Sequence, residues 1–536
     1  MKKIFRYFVV ALAFSTVSCD GDFDEINTDP TKSSPANFDP NFFLSTSQWN
    51  YLDGTMGYNG PTLFQSGWMQ IWASTSSGGA NYYTNMDKYV PSGNTNDYQG
   101  RSWNSCYRSA SLANEIVFLT SEDPELVNLT SVAQIMKILN IQYITDMYGD
   151  CPYAEALQAK TGTTLPVYDD QQSLYTALLS DLDAAVGSLD DAKAIPTSDL
   201  IYGGDIAKWR KFGYSLMLRM AMRLTKADAA TAKTYAEKAA AGGTFASAED
   251  DAYILCDNAN GYRNDYARDL TTAADFYQVR WSKTLIDYLK TTNDPRIGVI
   301  AEVPLDGLEA NQTVGLAGND DPALQLGLPN GYDLNAGTTD ITTSPGYPGG
   351  TGTGDDETPI GKYSRPKTSI YGNLDGPVFI LTYAQTELLL AEAAVRGFSV
   401  TGTAATHYEN AIVGALLSLA PFGAEATISA SVAADFAAAN PLDVSTMDNS
   451  LKMINEQYWA TSGTLLNFTD AWNNWKRSGY PVLTPVVYPG NFSGGVIPRR
   501  QPYPTTEGTL NGANYQTAVG RLSGGDTWSA RIWWDN

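Results

Sequence analysis

The sequence predicts a mainly α fold: paired helices form a scaffold that carries a long, loop-rich irregular ligand-binding face with little β structure. Three observations predict it. Apolar residues recur at helical spacing in two separated blocks, about 132–256 and 377–477. Within each block, successive helices follow one another through short connections, which makes them packing neighbours. Around and between the blocks, at about 50–100, 257–376 and 478–536, the chain is aromatic or rich in Gly, Pro, Asn and Thr. Loops this long inside a compact body are functional or disordered.

The elements follow in chain order. Lys2, Lys3 and Arg6 precede an apolar run from Phe8 to Phe14, then small residues and Cys19. Residues 1–18 therefore read as a secretory signal, too short for a membrane span. A Ser-Cys step directly after the apolar run resembles a bacterial lipobox, which makes Cys19 the lipidation site. Residues 19–40 are acidic, polar and Pro-containing, and read as a tether. The body is 41–536. Ile135, Leu139, Tyr143 and Met147 share one face of a helix over 132–148, ended by Gly149 and Pro152. Leu174, Leu178, Leu182 and Val186 do the same over 170–189. Asp205 caps a helix over 206–225 whose stripe is Trp209, Phe212, Leu216, Met220 and Leu224. An Ala-rich helix over 228–242 closes at Gly242-Gly243. The second block reads as helices at 377–397, 404–420, 428–439, 448–462 and 467–477. No 34-residue repeat is visible, so tetratricopeptide-like packing rests on helix length and pairing alone.

Composition narrows the function. The 536 residues carry a formal net charge of -23 and a single histidine, His407. Loss of Lys2, Lys3 and Arg6 with the signal takes the charge to -26. That balance opposes nucleic acid, whose phosphates need a basic surface. One imidazole excludes any mechanism needing two, and His407 reads as packed or solvent-facing. No phosphate-cradling loop, dinucleotide fingerprint or GxSxG elbow occurs in a strand-to-helix setting. Cys106, Cys151 and Cys256 form no disulfide framework or zinc spacing and read as buried thiols. No cofactor or metal is expected. Asp320-Asp321 and Asp355-Asp356-Glu357 offer hard oxygens suited to calcium, but without EF-hand spacing.

The loop aromatics are the candidate ligand-binding residues: Trp68, Trp72, Tyr82 and Tyr83 in the first loop region, Tyr262, Tyr266 and Tyr277 in the second, and Tyr332 further on. A sugar ring has a flat C–H face that an aromatic platform buries, while polar side chains take its hydroxyls. The same parts suit a peptide. Core packing competes for each ring, as at Trp209 and Trp281. Paired carboxylates of a surface glycosidase are the enzymatic alternative.

Taken in order, Cys19, DFDEINTDP, YGDCPYAEAL, IYGGDIAKWRKFGYSLMLRMAMRL, LTYAQTELLLAEAAVRG, AWNNWKRSGYPVL, IPRRQPYPTTE and RIWWD resemble the SusD/RagB family of outer-membrane nutrient-binding lipoproteins, in its SusD-like branch. The resemblance covers nearly the whole chain after Cys19. It implies four tetratricopeptide-like helix pairs with irregular segments bearing the ligand site, and a binding protein rather than an enzyme. It also implies lipid anchoring on the outer face of the outer membrane, to which DGDFDE after Cys19 is similar as an export signal. The implied partner is a SusC-like TonB-dependent β-barrel transporter that receives an oligosaccharide or, in the RagB case, a peptide. Two positions depart from the family pattern: Cys151, where an apolar residue is common, and Gln385, where TYAE has Glu. Trp209, Tyr383, Glu387 and Trp472 read as structural, with Glu387 and Arg396 pairing or capping within the helical layer.

Overall fold

The computed structural model describes residues 38–76, 83–272, 279–304, 316–349 and 362–535. The chain divides into Met1–Pro40 and a body, Asn41–Asn536. The signal 1–18, Cys19 and nearly all of the 19–40 tether lie outside the described residues, as do Tyr82, Tyr277 and Asp355-Asp356-Glu357.

The body is mostly helical. It opens with α1 (Asn41–Thr55), followed by the short strand β1 (Trp72–Ser74). Next come α2 (Thr95–Thr120), α3 (Val127–Tyr148), α4 (Gln171–Gly187), α5 (Ile206–Arg223) and α6 (Ala229–Gly242). The middle of the chain supplies β2 (Ala252–Leu255), β3 (Val279–Trp281), α7 (Lys283–Thr291), β4 (Ala301–Glu302), β5 (Arg365–Pro366) and β6 (Pro377–Leu381). The second block is α8 (Tyr383–Val395), α9 (Ala404–Leu417), α10 (Ala430–Ala439), α11 (Met447–Thr464) and α12 (Phe468–Ser478), and α13 (Gly512–Arg521) lies near the end. Each of α1 to α6 packs on the next, as do α8 to α10 and α11 with α12, and α5 meets α8 to join the blocks.

Side-chain caps set many of the boundaries. Asp170, Asp205 and Asp228 each accept a backbone N–H in the first turn of α4, α5 and α6. At α8, Thr382 and Gln385 form a reciprocal capping box.

Four expectations change. The described part of 50–100 is not a loop face: it holds the end of α1, β1 and the start of α2, with short, mostly buried turns beside them. The helix expected at 377–397 is split, because Pro377–Leu381 pairs antiparallel with β2 before Thr382 starts α8. The stretches 257–376 and 478–536 contain α7 and α13. Glu387 and Arg396 do not pair with each other. Glu387 holds His407 Nδ1 at 2.9 Å, and Arg396 binds Glu392 at 2.7 Å.

A buried ionic group locks the blocks together. Arg223 on α5 lies between Asp146 on α3 and Asp470 on α12, at 3.5 and 2.5 Å, with all three side chains buried. Lys476 donates to the Asp146 carbonyl (2.6 Å) and Trp534 to its carboxylate (3.1 Å). Such a group is costly to desolvate, so the two carboxylates beside the guanidinium are what make it tolerable. Cys106, Cys151 and Cys256 are free and buried, and burial pushes all three thiols up, Cys256 to about 12.

A candidate ligand-binding cleft

The fold separates the aromatic residues by burial. Trp68, Trp72, Tyr83 and Tyr266 are buried in the core, at most 4% exposed, which corrects their assignment as contact residues of a loop face; Tyr266 lines only an internal cavity beside Tyr51 and Tyr143. Trp68 donates its indole N–H to the Asn85 carbonyl (3.0 Å) and packs edge-on to Trp472. Trp72, on β1, packs against Phe468 with ring centroids 4.6 Å apart. Tyr83 shares a 2.7 Å hydroxyl contact with Tyr58, and Tyr266 donates to the Thr55 carbonyl (3.2 Å). Loop position and ring chemistry cannot tell a buried aromatic from an open one.

Tyr262 and Tyr332 remain accessible, and the structure does not bring them together. Tyr332 lines a polar groove of about 460 Å³ with Gln70, Lys283, Thr339 and Val487. Its polar groups are largely spent on the protein: Gln70 donates to the Thr484 carbonyl and accepts from Thr284, Thr339 donates to Asp333, and Asn330 donates to the Trp72 carbonyl.

Tyr262 lines a larger cleft of about 630 Å³, within the usual range of ligand sites. Three elements build it. From α1 come Ser45, Thr46 and Trp49, one helical turn apart. From β2 come Tyr253, Ile254 and Leu255, and from the loop that follows come Asp257, Asn260 and Tyr262. Leu200 and Ile201, in the turn before α5, close the wall. Trp49 and Tyr262 meet edge to face, 4.9 Å between centroids. Tyr262 is 50% exposed, Leu255 59% and Leu200 43%.

The supports of this cleft are rigid. Asp199 accepts from Gln48 Nε2 (2.7 Å), Trp209 Nε1 (2.7 Å) and the backbone N–H groups of Ile201, Tyr202 and Gly204. Gln48 returns a bond to the Leu200 N–H (2.8 Å), so the turn bearing Leu200 and Ile201 is fastened to α1. A glycine is required at 204: its φ is +88°, and a Cβ there would lie 2.5 Å from the Pro196 carbonyl oxygen. On the opposite wall, Tyr253 pairs with Phe379 across β2 and β6. Asp257 and Tyr262 then exchange both backbone hydrogen bonds, at 2.7 and 2.8 Å, which fixes where the Tyr262 ring emerges.

Trp49 and Tyr253 are absent from the sequence-derived set. Both had a signal. Trp49 follows Ser45 and Thr46 at helical spacing on the side of α1 away from Leu44, Tyr51 and Leu52. Tyr253 and Leu255 alternate with Ala252 and Ile254 in the two-residue period of a half-buried strand. Among the described residues, no group of three or more His, Cys, Asp or Glu is placed to hold a metal ion. Asp320 pairs with Lys367 instead (2.8 Å).

Comparison with known proteins adds the following. A family model, SusD-like, described as starch-binding and associating with the outer membrane, matches residues 32–504. A solved chitin-binding protein is 29% identical with a TM-score of 0.77, covering 93% of this chain and all of its own. A SusD-like protein from Bacteroidetes is 25% identical over the same shares, also at 0.77. A chitin-binding SusD homologue from Flavobacterium johnsoniae, at 21% identity, TM-score 0.69 and coverage of 93% and 97%, shares the fold. No curated protein matches the chain.

Proposed function

Because the chain belongs to the SusD-like family, we propose that it captures glycans at the cell surface and delivers them to a SusC-like TonB-dependent outer-membrane transporter. The observation that carries the reading is an open aromatic cleft on a SusD-like body. The family description associates its members with starch and the outer membrane, and a neighbour is a chitin-binding protein. Both are polysaccharides, which supports a glycan as the ligand class.

The geometry suits binding without bond cleavage. Trp49, Tyr253 and Tyr262 take the C–H faces of sugar rings, and Ser45, Thr46, Asp257 and Asn260 meet their hydroxyls. Asp257 is the one carboxylate in the lining, whereas glycoside hydrolysis uses a pair. A ligand that must be passed on needs modest affinity, about micromolar to millimolar, or roughly -4 to -8 kcal/mol.

Delivery places the protein on the outer membrane, facing the exterior and anchored through lipid on Cys19. Among the described residues no helix is long and apolar enough to cross a membrane, so attachment through Cys19 fits. The transporter supplies the opening step and this chain supplies capture.

The test is calorimetry of the purified protein against a panel of oligosaccharides and peptides, with affinity pull-down from outer membranes in parallel. Glycan binding together with recovery of a TonB-dependent barrel supports the reading. Peptide binding alone replaces it with a peptide-capturing protein, and absence of any barrel removes the delivery step.

A further inference from the structure

We propose that a cavity at the centre of the body binds one small monovalent anion, of chloride size, beside Arg219. The inference rests on the core alone and is independent of the glycan reading. The cavity lies where α1, α3, α5, β6 and α12 converge, and Tyr51, Gln142, Arg219, Ile380, Asp470 and Asn473 are part of its lining. Its volume of about 30 Å³ takes an occupant the size of a water or a halide and nothing as large as a sugar ring. Arg219 supplies the charge. It is 4% exposed, and a guanidinium keeps its proton at any working pH. Nη1 donates to the Ile380 carbonyl (3.1 Å) and Nη2 to Gln142 Oε1 (2.9 Å), and the Tyr51 hydroxyl accepts from the same guanidinium. All three partners are neutral. Nε makes no hydrogen bond, and among the described residues no carboxylate forms an ion pair with Arg219. A buried charge without a counter-charge opposes folding.

The neighbouring ionic group does not supply that counter-charge. Asp470 shares the lining, but Arg223, Gln385 and Tyr458 hold its oxygens. Gln142 Nε2 donates to Asp146, which links Arg219 to the Arg223 group. Within it Arg219, Arg223 and Lys476 face only Asp146 and Asp470, because Asp535 is held by Arg499 and Arg531. Burial pushes Lys476 well down, yet release of its proton still leaves Arg219 unpaired. The lining also offers donors. The Tyr51 hydroxyl, accepting from Arg219, keeps its own proton to give, and the Asn473 amide, whose Oδ1 makes no hydrogen bond, can turn its NH₂ inward. Donors beside an unpaired positive charge fit an anion, which only accepts, better than a water, which must also donate.

The experiment compares thermal melts of the purified protein in sodium chloride and in sodium gluconate at matched ionic strength, beside anomalous diffraction from crystals soaked in bromide. Gluconate is too large for the cavity and controls for screening. The melting temperature is expected to be higher by about 2 °C at about 100 mM chloride, and an anomalous peak is expected in the cavity within contact of Arg219. Tyr51→Phe removes one donor and is expected to need about tenfold more chloride for the same rise. Arg219→Met is expected to lose the chloride dependence; if that variant does not fold, Tyr51→Phe and the bromide peak decide. Equal melts in the two salts overturn the proposal. So does a cavity peak without anomalous signal, which is a water, and so does a chloride dependence that Tyr51→Phe leaves unchanged.

Discussion

Trp49 and Tyr262 meet edge to face in the lining of the cleft, so each orients the other. Truncating either to alanine is expected to weaken glycan binding about tenfold or more, ~1.4 kcal/mol, as for aromatic anchors generally. Tyr262 is half exposed, so its loss should leave the melting temperature nearly unchanged; calorimetry beside a thermal melt checks both. Asp199 behaves differently because it touches no ligand-facing atom. Asp199→Ala strands the buried Trp209 N–H and three backbone donors, at a cost of about 3 kcal/mol or more. The expected signature is a lowered denaturation midpoint together with weakened binding, as the Leu200 turn loosens. Titratable residues set a pH dependence. Burial raises Asp251 to about 7, against hydrogen bonds from Ser418 and the Tyr383 N–H that favour its charged form. A carboxyl raised on folding holds its proton longer in the folded state, so its contribution falls as pH rises from about 4 to 7. His407 resists charging through burial, but the Glu387 carboxylate outweighs this and holds it above its ordinary value. Its contribution is full below about pH 6.5 and is lost as pH rises through the folded value. The protein is therefore expected to melt at a higher temperature at pH 5 than at pH 8, with a smaller difference in Asp251→Asn.

Helix α8 shows how a departure from the family pattern becomes necessary. Gln385 Oε1 accepts the Thr382 N–H (3.0 Å), which a glutamate could also do. Its Nε2 donates to Ser462 Oγ (2.9 Å) and to the Asp470 carboxylate (3.1 Å). Gln385→Glu would replace that donor by a second negative charge in a buried site, and is expected to destabilise by about 3 kcal/mol, read in urea unfolding. Two turns further on, Glu392 holds Arg477 of α12 through both oxygens (2.5 and 2.8 Å) and Arg396 at 2.7 Å. Burial opposes its charge, but the two guanidinium groups win and depress it to about 2. That contribution is present above about pH 4.5 and is lost as pH falls toward 2. Helix α3 was legible from its apolar stripe, and α4 to α6 because an Asp cap marks where each begins. Helices α1 and α2 were not, because the surface they share is polar. Ser47 and Ser109 exchange hydrogen bonds with each other's carbonyls, and Asn140 joins them. Buried hydroxyls satisfied in pairs erase the hydrophobic periodicity on which the reading depends.

At the scale of the whole body, the two helical blocks meet at Arg223, and the C-terminal strap seals that junction. Trp534 is fully buried against Asp146, and Asp535 pairs with Arg499. Removing residues 531–536 would open the Asp146 group to water and empty the Trp534 site. The expected result is a loss of about 4 kcal/mol or more and protease sensitivity, tested by limited proteolysis. The scaffold was readable at this scale because core residues repeat locally. The candidate cleft was not, because it is assembled from α1, the turn before α5 and β2 with its loop. These are spread from Ser45 to Tyr262, and no local pattern records that they converge. Of the loop aromatics among the described residues, Tyr262 lines this cleft and Tyr332 the smaller groove, each from an emergent position on a loop.

The fastening of the cleft by Asp199 and by the Asp257–Tyr262 pair bears on how long a ligand stays. Walls already held by hydrogen bonds have little ordering entropy left to lose on binding. Encounter then proceeds at an ordinary rate of about 10⁶ M⁻¹s⁻¹. With a dissociation constant near 10 μM, departure would occur at roughly 10 s⁻¹, a residence time of about a tenth of a second. Under the proposed role, exchange at such a cleft is set by diffusion, and throughput by how often an acceptor is ready.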